Sequence, residues 1–155
     1  MTNIAYELGN QLKEKLVTSQ NISLVSYDSL LIMGMGGSGV AGDVLKLLSN
    51  SLVSTEVNVI KNYSIPKNLI KKKPFCLFIS YSGNTEETIS GVNDAITNNF
   101  NWAVISSGGK LIDLAKIHEK DYTLIPSGLQ PRAAFGYLVQ AVSIFLDNNE
   151  GSNFT

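Results

Sequence analysis

Three clusters of small and polar residues in this chain have the types and spacing to do chemistry. The first is Ser80-Tyr81-Ser82-Gly83-Asn84-Thr85-Glu86-Glu87-Thr88. An apolar run, Phe75 to Ile79, leads into it, and a helical pattern from Glu86 to Thr97 leads out. In extended backbone Ser80 and Ser82 point to the same side, and Gly83 allows a sharp turn. Asn84 or Thr85 then caps the helix, with Glu87 placed for a capping-box contact if Asn84 is the cap. The hydroxyls of Ser80, Ser82 and Thr85 would converge with free helix N–H groups on one point, a neutral cradle for a single phosphate.

The second cluster is Gly34-Met35-Gly36-Gly37-Ser38-Gly39, which follows an apolar run and precedes a helical one. It matches G-x-G-x-x-G in the context of a dinucleotide fold. The acid expected near the end of the next strand is missing. That position is Ile60-Lys61, and the nearest acid, Glu56, stands at the strand's start. No Gly-Lys-Ser/Thr follows, so a nucleoside triphosphate is not expected. A tight structural turn and close backbone approach to a small phosphorylated ligand both stay open, the second preferred. A dinucleotide-binding Rossmann-type protein is the further alternative. The third cluster centres on Arg132, which follows Pro131 at the start of the last helix. A fixed guanidinium there could meet a phosphate or an enediolate oxygen, or simply form a surface ion pair. His118 lies at a helix end away from these loops, where the helix C-terminus explains it. No His, Cys, Asp or Glu cluster has metal-ligand spacing, so neither a metal nor another cofactor is expected.

These residues need a frame that delivers all three clusters to one place. Residues 3–18 carry Ile4, Ala5, Leu8, Leu12 and Leu16 at helical spacing. Strands are expected at Ser29–Met33, Glu56–Ile60, Phe75–Ile79, Trp102–Ile105 and Tyr122–Ile125. Helices are expected at 40–48, 86–97, 111–118 and 132–146. Five strand–helix units after a leading helix make an α/β three-layer sandwich around a five-stranded parallel sheet. The two most glycine- and serine-rich loops follow the first and third strands. This favours a flavodoxin-like order, 2-1-3-4-5, whose switch point lies between those strands. One domain is expected over residues 1–147, with 148–155 a polar tail or the start of an interdomain linker.

Composition agrees with a globular domain: 44% of residues are hydrophobic and 16% charged, with a net charge of −1. That charge gives no reason to expect nucleic acid or an anionic membrane as partner. The lone cysteine, Cys76, sits in an apolar run and reads as a buried thiol. With no disulfide framework, no apolar signal-peptide core and no apolar run near the ~20 residues of a membrane span, a cytoplasmic protein is expected.

Taken together, GMGGSGVAGD (Gly34 to Asp43), SYSGNTEET (Ser80 to Thr88) and PSGLQPRAAFGYL (Pro126 to Leu138) resemble the first half of the bifunctional phosphoglucose/phosphomannose isomerases, of the sugar isomerase (SIS) superfamily. The resemblance runs from the leading helix to the last. It implies an aldose–ketose isomerase interconverting glucose or mannose 6-phosphate and fructose 6-phosphate through a cis-enediolate, without a metal. Matched residue by residue, Gly36, Gly37 and Ser38 would line the sugar, Ser80, Ser82 and Thr85 would hold the phosphate, and Arg132 would stabilise the enediolate. It also implies a second SIS domain, which supplies the proton-transferring glutamate, a ring-opening histidine across a homodimer, and a lysine. The expected chain is therefore a binding half-site that is inactive alone. A non-catalytic sugar-phosphate-sensing module is the alternative.

Overall fold

A computed structural model describes residues 4–19, 27–52 and 55–147 of the chain. In order, these form α1 (Ile4–Gln11), β1 (Val17–Thr18), β2 (Ser29–Met33), α2 (Gly36–Leu52), β3 (Glu56–Ile60), α3 (Lys67–Ile70), β4 (Phe75–Ile79) and α4 (Glu86–Thr97). There follow β5 (Trp102–Ser106), α5 (Gly109–Ile117), β6 (Asp121–Leu124), a 3-10 turn at Pro131–Ala134, and α6 (Phe135–Asp147).

The central strands β2, β4 and β5 are runs of five residues buried at every position. Continuous apolar runs of this kind suit a parallel sheet covered on both faces, because no side of the strand meets water. Alternation of side chains splits the core in two. Leu30, Ile32, Leu77, Ile79, Ala103 and Ile105 pack with Ala41, Leu45, Leu138, Ala141 and Phe145, from α2 and α6. Leu31, Met33, Cys76, Phe78, Trp102 and Val104 pack with Val92, Ala95, Leu111 and Ala115, from α4 and α5. The result is a three-layer α/β sandwich. Packing of α4 on the sheet is close: a Cβ at Gly91 would fall within van der Waals overlap of Met33 Sδ.

The sheet has six strands rather than the expected five, and its order, β1-β6-β5-β4-β2-β3, differs from the expected one by the strand added at the β6 edge. The sixth strand is the short β1, which pairs antiparallel with β6 through Val17↔Leu124 and Thr18↔Thr123. The remaining neighbours pair parallel. The expected leading helix over 3–18 was too long, because helical spacing of Leu12 and Leu16 mimicked a continuation. The helix ends at Gln11, and Leu16 enters the core from a turn just before β1. Two exposed β-branched residues carry no alternation from which a strand can be read.

Because β2 lies between β3 and β4, the chain reverses its direction across the sheet there. The C-terminal ends of β2 and β4 therefore open a crevice at the switch point. The expected tail, 148–155, lies outside the described residues.

Candidate functional site

The crevice is walled by the residues that follow β2 and β4. Gly34 lies against the end of β4: a Cβ there would stand 2.9 Å from the carbonyl oxygen of Ile79. The glycine run does not form a loop ahead of α2, as the expected start at residue 40 implied. Gly36 to Gly39 are the helix's own first turn. Gly36 takes a positive φ of 52°, which suits glycine. Gly37 has neither a positive φ nor a neighbour within 4 Å of where its Cβ would be. Nothing in the folded chain requires glycine at 37, so its missing side chain leaves open space. Ser38 is 7% exposed, and its hydroxyl has no hydrogen-bond partner among the described residues.

On the opposite wall the backbone leaves the extended path directly after Ile79, so Ser80 and Ser82 do not share a side as expected. Ser80 is turned inward at 2% exposure, whereas Ser82 is exposed. The Ser80 and Thr85 hydroxyls are hydrogen-bonded at 2.7 Å. Gly83 N–H donates to both the carbonyl (3.2 Å) and hydroxyl (3.1 Å) oxygens of Ser80. Gly83 has a φ of 71°, and a Cβ there would collide with the carbonyl of Gly108. The helix cap is Thr85, not Asn84, and its side chain makes no capping bond because Ser80 holds it. The expected capping box is therefore absent. Asn84 instead accepts from the Lys110 N–H (3.1 Å) and donates to the Ser82 carbonyl (3.3 Å), tying this turn to the start of α5. The first helical bond of α4 is Ile89 N–H to Thr85 O, 3.0 Å. The N–H groups ahead of it carry the partial positive charge of the helix end, without a side-chain cap.

Several supporting groups were not singled out from the sequence. Tyr81 donates from its hydroxyl to the Pro126 carbonyl (3.1 Å) and accepts there from the Leu129 N–H (2.8 Å). Its own carbonyl accepts from both the N–H (3.0 Å) and hydroxyl (2.6 Å) of Ser107. One residue thus joins the loops after β4, β5 and β6. Tyr63, in the loop after β3, lies near the start of α4. The carboxylate of Glu87, then partial burial and Glu86, push its phenol above the ordinary value. Lys61 directly follows β3, where a dinucleotide fold would place its acid. It is ion-paired to Asp43 at 2.5 Å, and its stem lies against Gly39. A lysine, paired to an acid of α2, thus stands where the ribose-binding acid is expected, and the dinucleotide alternative finds no support.

Arg132 stands apart from the two walls in its immediate surroundings. It is exposed on the 3-10 turn and lines a groove of about 420 Å³ with Glu7, Leu8, Gln11, Ala133, Phe135 and Gly136. It has no hydrogen-bond or ion-pair partner among the described residues, so the surface ion pair left open as an alternative is not formed there. His118 caps α5 with its ring 6.0 Å from that of Trp102, remote from these loops. Among the described residues no group of three potential metal ligands is gathered, and no helix is long and apolar enough to cross a membrane.

Residues 23–116 match the family model of the SIS domain. The chain belongs to the SIS domain family. It is 38% identical over 133 residues to a bifunctional phosphoglucose/phosphomannose isomerase of Caldicellulosiruptor bescii, which covers 86% of this chain and 37% of that one. A protein of the same description from Thermoplasma volcanium is 40% identical over 128 residues, covering 83% and 40%. A D-glucosamine-6-phosphate 4-epimerase of Sulfolobus acidocaldarius is 32% identical, covering 99% and 48%. The chain thus spans less than half the length of each of these relatives. Among solved structures, the Vibrio vulnificus NanR protein complexed with ManNAc-6P superposes with a TM-score of 0.60 at 14% identity, covering 93% of this chain and 52% of that one. The C-terminal domain of glucosamine-fructose-6-phosphate aminotransferase from Francisella tularensis gives 0.59 at 14%, covering 96% and 47%. At such identities the agreement is one of fold.

Proposed function

We propose that this SIS domain binds a 6-phosphorylated aldohexose or ketohexose and forms part of an aldose–ketose isomerase. The observation that carries the reading is the uncapped N-terminus of α4, held at the switch point by the Ser80–Thr85 bond and faced by the glycine-opened first turn of α2. Phosphate sits at the α4 terminus with Ser82, Thr85 and the N–H groups. Ser80 holds Thr85 in place from beneath. The sugar lies along Gly36, Gly37 and Ser38, where the vacant Cβ position at 37 and the unpaired Ser38 hydroxyl offer space and a hydrogen bond. Arg132, without a partner among the described residues, stabilises the charge of a cis-enediolate. The names of the relatives, phosphoglucose/phosphomannose isomerase and D-glucosamine-6-phosphate 4-epimerase, share a phosphorylated hexose.

Proton transfer between C1 and C2 needs a base within hydrogen-bond reach of the substrate. The two described walls offer hydroxyls and N–H groups, and the Glu86 and Glu87 carboxylates belong to the first turn of α4. We therefore assign the base to a second SIS domain, as the greater length of the relatives supports, with assembly as a homodimer. Calorimetric titration of the 155-residue chain with fructose 6-phosphate, glucose 6-phosphate, unphosphorylated glucose and NAD tests the reading. Binding of the two phosphates alone is expected. Binding of NAD without sugar phosphates would overturn it, and rapid isomerisation by the chain alone would refute a base elsewhere.

A further inference from the structure

A guanidinium on a surface turn is only as well placed as the backbone beneath it. The turn that carries Arg132 is four residues of 3-10 helix, has no side-chain cap, and exposes Pro131, Arg132 and Ala133. Within it, Ala133 N–H donates to the Gln130 carbonyl at 2.8 Å. The side chain that reaches it from far along the chain is Gln11, whose Nε2 donates to the Ala133 carbonyl at 2.6 Å across 122 positions. The fit around this amide is tight. A Cβ on Gly136 would come within 2.5 Å of Gln11 Oε1 and 2.8 Å of Gln11 Cβ. The segment after α1 is fixed in turn, because Gln140 of α6 donates to the Leu12 carbonyl (3.2 Å) and to that of Glu14.

We propose that Gln11 is a positioning residue for Arg132: its amide, wedged against Gly136, locks the Ala133 peptide and so fixes the bearing of the neighbouring guanidinium across the α1 groove. The role assigned to Arg132 rests on the function proposed above, but the mechanical part does not. A glutamine at the end of an amphipathic helix is otherwise a surface residue. Here it is a strut between the first helix and the start of the last.

The test combines relaxation with a double-mutant cycle. In Gln11→Leu, which keeps the bulk and removes the donor, backbone 15N order parameters at Arg132 to Ala134 are expected to fall while those of β4 and β5 stay unchanged. Unchanged values at the turn overturn the proposal, even if no sugar phosphate binds and the proposed function fails. For binding, an aldonic acid phosphate supplies a carboxylate in place of the enediolate, and inorganic phosphate serves as the reference. Gln11→Leu is expected to weaken the aldonate phosphate about three- to tenfold, the weight of one hydrogen bond, and to leave inorganic phosphate unaffected. Added to Arg132→Ala it is expected to cost nothing further. Additive losses, or equal losses for both ligands, would show that Gln11 does not act through Arg132.

Discussion

Ser80→Ala separates support from contact within the proposed phosphate cradle. The Ser80 hydroxyl is buried, accepts from Gly83 N–H at 3.1 Å and is bonded to Thr85 at 2.7 Å. Each such bond is worth about 0.5–1.5 kcal/mol net. Gly83 N–H keeps the Ser80 carbonyl as a second acceptor at 3.2 Å, and half-buried Thr85 regains water, so the loss is expected near about 1–2 kcal/mol. For a chain of this size that is a fall in Tm of roughly 2–8 °C. Ser82 is exposed and accepts from the Asn84 N–H at 3.2 Å, so Ser82→Ala is expected to cost less than about 0.5 kcal/mol. Its effect belongs in ligand affinity instead. Urea unfolding followed by fluorescence of Trp102, buried in β5, gives the stabilities, and phosphate titration gives the affinities. A Ser82→Ala variant less stable than Ser80→Ala, or a Ser80→Ala variant as stable as the parent, would refute this division of labour.

Three further outcomes follow from the same geometry. Gly83→Ala places a methyl group against the Gly108 carbonyl at a φ of 71° and is expected to cost more than about 2 kcal/mol, read as a lower urea midpoint. Tyr81→Phe removes the hydroxyl that joins Pro126 to Leu129, and is expected to cost about 1 kcal/mol and to expose the Leu129 amide to hydrogen exchange. Burial pushes the Cys76 thiol up to about 12 from the model-compound value of 9.0. The folded chain therefore keeps a proton that the unfolded chain releases between about pH 9 and 12, and stability is expected to fall as pH rises through that window. Cys76→Ala flattens that part of the profile, and alkylation of Cys76 in the native state at pH 8 is expected to be slow compared with the unfolded chain.

The frame was legible where burial dictated composition. β2, β4 and β5 are buried at every position and apolar at all but Ser29 and Ser106, and the starts of β3 and α4 fall where periodicity changes. The glycine and serine clusters were legible because tight turns with positive φ and close backbone approach, as at Gly34, Gly36 and Gly83, need small residues. What escaped was held together by tertiary contacts. Val17 and Thr18 become a strand only because β6 offers an edge, and Thr85 caps α4 without using its hydroxyl because Ser80 takes it. Gln11 and the Tyr81 hydroxyl act through bonds to carbonyls or amides more than 40 positions away, and no local pattern marks such partners. Arg132 was located correctly at the start of the last helical segment, but its neighbours on α1 were not foreseen.

The pairing of β1 with β6 also sets an order on folding. Val17 and Thr18 have no strand to join until Thr123 and Leu124 exist, and α1 has no seat until Ala133 and Gln140 follow. During synthesis, which proceeds from N- to C-terminus, α1 and β1 must wait for nearly the whole domain before they can dock. The central strands pair with closer neighbours in the chain and can associate sooner. These two elements are thus the last pieces of the domain to be fastened, and a nascent domain stalled before residue 120 would carry α1 and β1 undocked.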